Sequence, residues 1–141
     1  MQNFFSKFLG RILVVQFLFS CSSDPIQLKD LIGEYAGNRE LSSDRLIIRC
    51  DSTYELQFRS SKGKIFRNTG KWKLRQDLPE ITFHDFIFFN DEGPDKVIAE
   101  KNGSEVILKG DWIARIRITP GELKIMYDSE HEIFYYRKLL D

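Results

Sequence analysis

Cysteine and histidine are scarce in this chain, with 2 of each in 141 residues. A disulfide framework needs more thiols than that. A zinc site or a histidine-driven hydrolase needs ligands at paired spacings, which His84 and His131 do not supply. Net charge is also missing, because 21 basic residues meet 21 acidic ones. Without a dense basic face there is no electrostatic drive toward a phosphate backbone, so nucleic acid is excluded as a partner. No apolar run reaches the roughly 20 residues that a membrane-spanning helix requires. Phosphate loops and nucleophile elbows are absent too. Lys62-Gly63-Lys64 lacks the upstream glycine and the following hydroxyl, and Ser60, Ser61 and Ser104 stand outside any G-x-S-x-G pattern. No catalytic residue, metal ligand set or cofactor motif can be named, and the chain reads as a non-enzyme.

The N-terminal stretch is unlike the rest. Met1 to Phe19 holds 5 of the 12 phenylalanines, the basic residues Lys7 and Arg11, and no acid. A basic start, an apolar run from Ile12 to Phe19 broken only by Gln16, and small Ser20 before Cys21 follow the three-part grammar of an export signal. As a helix the apolar run spans about 12 Å, well short of a bilayer core of about 30 Å. Cleavage is therefore favoured over retention as a membrane helix. Ser22, Ser23, Asp24 and Pro25 then form a polar, helix-averse tether.

Leu18-Phe19-Ser20-Cys21 resembles the lipobox of bacterial lipoproteins, in which the cysteine becomes the acylated first residue of the mature chain. The resemblance implies a lipid on Cys21, membrane attachment through it, and a site in the cell envelope, at the outer membrane. The division is then a signal peptide over 1–20, an acylated cysteine and tether over 21–30, and a folded domain over 31–141. The alternative is a secreted protein in which Cys21 pairs with Cys50. In Leu46-Ile47-Ile48-Arg49-Cys50, strand alternation places Cys50 on the face of Leu46 and Ile48, which predicts a buried free thiol.

Beyond the tether, Ile26 to Leu31 predicts one short helical turn with Leu28, Leu31 and Ile32 inward. Strand then follows strand: 33–38, 44–50, 53–59, 64–75, 80–90, 96–99, 105–109, 112–119, 122–127 and 132–138. Short strands at this spacing, separated by polar turns, predict an antiparallel barrel or sandwich. Thr119-Pro120-Gly121-Glu122 is a turn, and pairing across it sets Ile118 against Leu123 and Ile116 against Ile125, an apolar face on both strands. Tyr54, Leu56 and Phe58 share one face of their strand, and Trp72 and Leu74 alternate with lysines and so face in. Ile81 to Phe89 breaks alternation. Strict period two would bury Asp85, so a β-bulge near His84-Asp85 is predicted, turning Phe86 and Phe88 inward.

Tyr35 in the first strand, Asp51-Ser52-Thr53-Tyr54, Gly70-Lys71-Trp72 and the closing Tyr135-Tyr136-Arg137-Lys138 make the domain similar to the small lipocalin-like β-barrel lipoproteins. That resemblance implies an all-β, antiparallel up-and-down barrel of about 8 to 10 strands in the cell envelope. It carries over no catalytic residue.

Two candidate sites follow. Arg115, Arg117 and Lys124 form a basic stripe, read either as a solvated face or as a surface for an acidic protein or lipid headgroups. Tyr54, Phe58, Trp72, Phe83 and Trp112 line the barrel interior, which either fills with side chains or holds one small hydrophobic ligand. The functional expectation is a membrane-anchored, non-catalytic binding or interaction module for an envelope partner. A lipocalin-like carrier is the alternative. His131 in its acidic loop and the acidic turn Asn90 to Asp95 read as solvated loops, and His84-Asp85 as a kink.

Overall fold

The computed structural model describes residues 26–75, 77–99, 102–127 and 134–139. The signal segment, Cys21, the first residues of the tether and His131 lie outside the described residues. Among the described residues a single helical turn, α1 (Leu28–Leu31), precedes twelve strands: β1 (Gly33–Gly37), β2 (Ser43–Ile48), β3 (Thr53–Arg59), β4 (Ile65–Arg75), β5 (Glu80–Phe86), β6 (Phe89–Asn90), β7 (Gly93–Pro94), β8 (Val97–Ala99), β9 (Glu105–Ile107), β10 (Gly110–Thr119), β11 (Glu122–Met126) and β12 (Tyr135–Lys138).

Eight of these close a barrel in the order β1-β12-β11-β10-β5-β4-β3-β2, with every neighbouring pair antiparallel. Each strand follows its predecessor except between β5 and β10, where the chain forms two small ribbons, β6-β7 and β8-β9. The last strand seals against the first, pairing Tyr35 with Lys138 and Gly37 with Tyr136. The result is an up-and-down β-barrel without an open edge.

Local chemistry accounts for the register. Pairing of Ile118 with Leu123 and Ile116 with Ile125 is as the turn required, and Gly121 takes the left-handed φ of 79° that the turn needs. The predicted bulge is present. Trp112 pairs with Phe83 but Gly110 with Phe86, so three residues of β5 span the distance of two on β10. Asp85 holds φ at 57°, a conformation short polar side chains tolerate, which leaves its carboxylate in solvent and buries Phe86 completely. Phe88 is only half-buried, while its neighbours Ile87 and Phe89 go in, because the chain leaves the sheet at Phe86 and folds over the barrel mouth.

Besides Phe88, which the sequence reading turned inward, three further placements differ from it. Leu28 is half exposed, because α1 is one turn long and directs only Leu31 into the barrel. Ile118 is also exposed, since the β10-β11 hairpin runs past the barrel rim. Cys50 is exposed rather than buried. Strand β2 ends at Ile48, and alternation carried two residues further into the turn to β3 no longer predicts direction.

The interior is a continuous stack of rings and aliphatic groups. Phe83 stacks on Trp112 at 4.9 Å between centroids, Phe58 on Phe89 at 4.5 Å, and Tyr54 meets Phe83 edge to face at 5.1 Å. Leu31 and Tyr35 close the lower end, where the Tyr35 hydroxyl donates to the Leu31 carbonyl at 2.7 Å. Trp72 adds a second closure there, its indole N–H donating to the Arg49 carbonyl at 3.1 Å. Phe86 and Phe89 cover the upper end, with Phe88 packed against them.

Candidate functional site

The five interior residues expected to line a ligand cavity, Tyr54, Phe58, Trp72, Phe83 and Trp112, are all buried, at 4% exposure or less. Phe83 meets both Tyr54 and Trp112, Phe58 packs on Phe89, Tyr54 and Trp112 reach Phe86, Trp112 also meets Tyr127 and Tyr136, and Trp72 belongs to the same buried cluster.

On the outside, Arg117 and Lys124 face each other across β10 and β11 as expected, and Arg115 lies one step above them, opposite Met126. The structure extends this stripe. Lys124 is opposite Arg137, Arg137 opposite Ala36, Ala36 opposite Arg45, Arg45 opposite Gln57 and Gln57 opposite Arg67. One register line thus carries five cations round the barrel. A line of acids runs beside it on the side nearer α1. Glu122 holds the Lys124 ammonium at 2.9 Å, Glu34 holds Arg45, and Glu55 accepts from Arg49 at 2.6 Å. Lys124 also lies 4.5 Å from the Tyr135 ring centre. Arg67, Arg115, Arg117 and Arg137 are exposed. The sequence reading found two of the five, Arg117 and Lys124, together with Arg115 beside them, because the β10-β11 hairpin register is local. Arg137 joins through the β11-β12 pairing, and Arg45 and Arg67 only through closure of β12 on β1.

A second polar group, missed by sequence, fastens the upper end. Arg39 lies between the rings of Tyr127 and Phe134, 4.9 Å and 4.8 Å from their centres, and donates to the Phe89 carbonyl at 2.9 Å. Its guanidinium faces Asp44 at 3.6 Å and Asp91 at 3.8 Å. Tyr136 donates to Asp44 Oδ2 at 2.6 Å, and Ser42 to Asp91 at 2.9 Å. Burial holds the Asp44 carboxyl above the usual carboxylate range, although the Tyr136 hydrogen bond and Arg39 pull the other way. Its Oδ1 is the one buried side-chain oxygen without a partner among the described residues. Burial, with the Asp44 charge second, pushes the Tyr136 phenol well above its ordinary value. The signal was present in the pattern: Asp44 shares strand parity with inward Leu46 and Ile48.

The bulge holds the third group. Asn68 accepts the Ile87 N–H at 3.0 Å and donates to the Asp85 carbonyl at 2.9 Å, filling the gap where β4 and β5 part. An open groove of about 570 Å³ lies outside this gap, lined by Arg49, Thr53, Tyr54, Thr69, Gly70, Lys71, His84 and Asp85. His84 does not pair with Asp85. Its Nδ1 lies 3.0 Å from Asp111 Oδ1, and both side chains are more than two-fifths exposed. A hydrolytic centre would also need a free nucleophile within reach of the imidazole. The Thr53 hydroxyl is committed to Asp51 at 2.6 Å, and the Tyr54 hydroxyl lies 3.1 Å from Asn68 Oδ1 and 3.0 Å from the His84 carbonyl. Among the described residues no group of three or more His, Cys, Asp or Glu could hold a metal ion.

Fold and site together define an eight-stranded antiparallel barrel with a side-chain-filled interior and a charged outer belt. Compared with protein families, curated proteins and solved structures, the chain matches none.

Proposed function

We propose that this protein is a lipid-anchored, non-catalytic interaction module of a bacterial cell envelope, held through Cys21 at the outer membrane, whose basic line meets an acidic surface of an envelope protein. The observation that carries the reading is the filled barrel. With Phe83 packed on Tyr54 and Trp112, and Phe58 on Phe89, recognition is left to the outside, where Arg117, Lys124 and Arg137 lie side by side on three strands.

The anchor comes from Leu18-Phe19-Ser20-Cys21 and the signal before it. A singly acylated protein binds membranes only marginally, whereas two or more chains hold it stably. From Cys21 to Ile26 the chain reaches on the order of 17 Å, which keeps the α1 end of the barrel near the bilayer. The basic line then lies on the far side of the acidic one from that end.

Intact mass and membrane partitioning of the wild type and of Cys21→Ala test the anchor. A wild-type chain that keeps residues 1–20, or that fractionates without lipid, rejects it. Arg117→Glu with Arg137→Glu tests the surface: crosslinking in cells should lose the partner band, and an unchanged pattern removes the basic line from the reading. The carrier reading requires the interior rings to give way to a ligand. A fluorescent fatty-acid titration read through Trp72 and Trp112 separates the two, since a filled barrel gives no saturable transfer.

A further inference from the structure

The β8-β9 ribbon stands out from the barrel with apolar side chains on both faces. Val97, Ile98, Val106, Ile107 and Leu108 are each between 37% and 51% exposed. Isolated two-stranded ribbons are marginal in water, and an open strand edge is a template for further pairing. In this ribbon Val97 pairs with Ile107 and Ile98 with Val106, and the Leu108 N–H donates to the Lys96 carbonyl at 3.0 Å. Hydrogen-bonded pairs alternate along an antiparallel ladder. Ile98 and Val106 are therefore the next bonded pair, and the backbone groups of Glu105 and Ile107 point away from β8.

We infer that this edge pairs with the same edge of a second copy of the chain, forming a two-fold symmetric, four-stranded sheet centred on Ile107. The sequence of the edge is what selects the partner. Glu105-Val106-Ile107-Leu108-Lys109 is antisymmetric in charge about its centre. Antiparallel pairing of two copies about Ile107 sets Glu105 of each against Lys109 of the other, and Val106 against Leu108. Both ends of the contact then carry opposite charges, and the apolar strip of the ribbon continues across the axis.

Neighbouring registers fail. Centring between two residues would set a residue already bonded to β8 against an outward one, centring on Val106 or Leu108 would set Glu105 or Lys109 against the apolar Ile107 and leave the charges unmatched, and centring on Glu105 would set two glutamates face to face. The ribbon's tip argues against a membrane as the occupant, since Asn102, Gly103 and Ser104 are polar or small and exposed where a membrane wedge would need apolar residues. The ribbon also belongs to the upper connection, at the opposite end of the barrel from α1.

The test is sedimentation velocity of the full chain across a concentration series, in mild detergent where the membrane-extracted form requires it. A reversible monomer–dimer equilibrium is expected. Glu105→Lys and Lys109→Glu each set like charges together at both ends of the contact and should weaken it by about tenfold. The double variant Glu105→Lys/Lys109→Glu restores the complementarity and should recover the wild-type constant. All three variants alter only exposed side chains, and circular dichroism checks that the barrel is kept. A monomer at every concentration overturns the inference and leaves the ribbon to a strand or surface of another molecule. Association that ignores both single changes, or that the double variant fails to recover, places the contact elsewhere. Loss of the dimer on removal of residues 1–20 assigns it to that segment instead.

Discussion

Tyr136 on the last strand donates a 2.6 Å hydrogen bond to Asp44 on the second, inside the barrel and across 92 residues of chain. The contact lies at the seam where β12 closes against β1, and the two side chains approach over Gly37, where a Cβ would sit 1.9 Å from Asp44 Oδ1. Tyr136→Phe keeps the ring and its packing while removing the donor. A hydrogen bond to a charged, buried acceptor is worth about 1.5–3 kcal/mol, so chemical denaturation should show a loss of about 2 kcal/mol with an unchanged m-value. No loss would mean that solvent reaches Asp44 and replaces the phenol.

The same carboxylate sets a pH dependence. Its folded-state pKa is raised, chiefly by burial, so the folded chain binds the Asp44 proton more tightly than the unfolded chain does. Between the ordinary carboxylate value of about 3.9 and the raised folded value, this group's contribution to stability grows as pH falls and declines as pH rises. Tyr136, Arg39 and Asp91 are the charged and titratable groups that act on it. Asp51, Glu55 and Asp77 shift the opposite way, toward lower values through hydrogen bonds to Thr53, to Gln57 and Arg49, and to Arg75, but they are solvated. Asp44→Asn isolates the term. Subtracting its melting-temperature profile from the wild type's should leave a curve that declines with rising pH. Tyr136→Phe, which removes an interaction lowering the Asp44 pKa, should carry that decline to higher pH.

Asn68 is the hinge of the bulge. Its amide both accepts and donates, to the Ile87 N–H and the Asp85 carbonyl, so no apolar or purely acidic residue can replace it. Asn68→Ala leaves buried backbone groups unpaired, at about 1–3 kcal/mol each, and a total loss of about 3 kcal/mol is expected by denaturation. Asn68→Asp should cost more, because it loses the donor and buries a charge. Next to it, Gly70 allows β4 to pass under β5: a Cβ there would lie 2.3 Å from the His84 carbonyl oxygen. Gly70→Ala should therefore shift the backbone at the bulge, visible as amide chemical-shift changes at His84 and Asp85.

Much of the barrel was legible because its signals are local. Alternation in Tyr54-Leu56-Phe58, the Pro120-Gly121 turn and the cost of burying Asp85 each fix a register from a few neighbouring residues, and the structure has all three. What was not legible depends on residues far apart in the chain. Asp44 meets Arg39, Tyr136 and Asp91 only once the barrel closes and the β5-β10 connection folds over the mouth. His84 finds Asp111 rather than its neighbour Asp85 because the partner comes from the adjacent strand β10, which local sequence does not bring beside it. Cys50 failed for a different reason: period two describes a strand, and the strand stops at Ile48.

That exposed thiol turns the question of Cys21 into a count. Cys50 lies in the turn between β2 and β3, beside Ser52 in its left-handed conformation, and needs no unfolding to react. A thiol buried in the barrel would be alkylated only through opening, slowed by the stability of the domain. Cys50 should instead be alkylated by iodoacetamide in native buffer at nearly the rate seen in denaturant, and Cys50→Ser should abolish that fast phase. Mass spectrometry of the alkylated protein then reports the state of the other cysteine. One adduct per chain is expected when Cys21 carries lipid on its sulfur, and two when both thiols are free. A chain that takes up none until reductant is added holds a Cys21–Cys50 disulfide, which would replace the anchor by a covalent strap between the tether and the turn at Cys50.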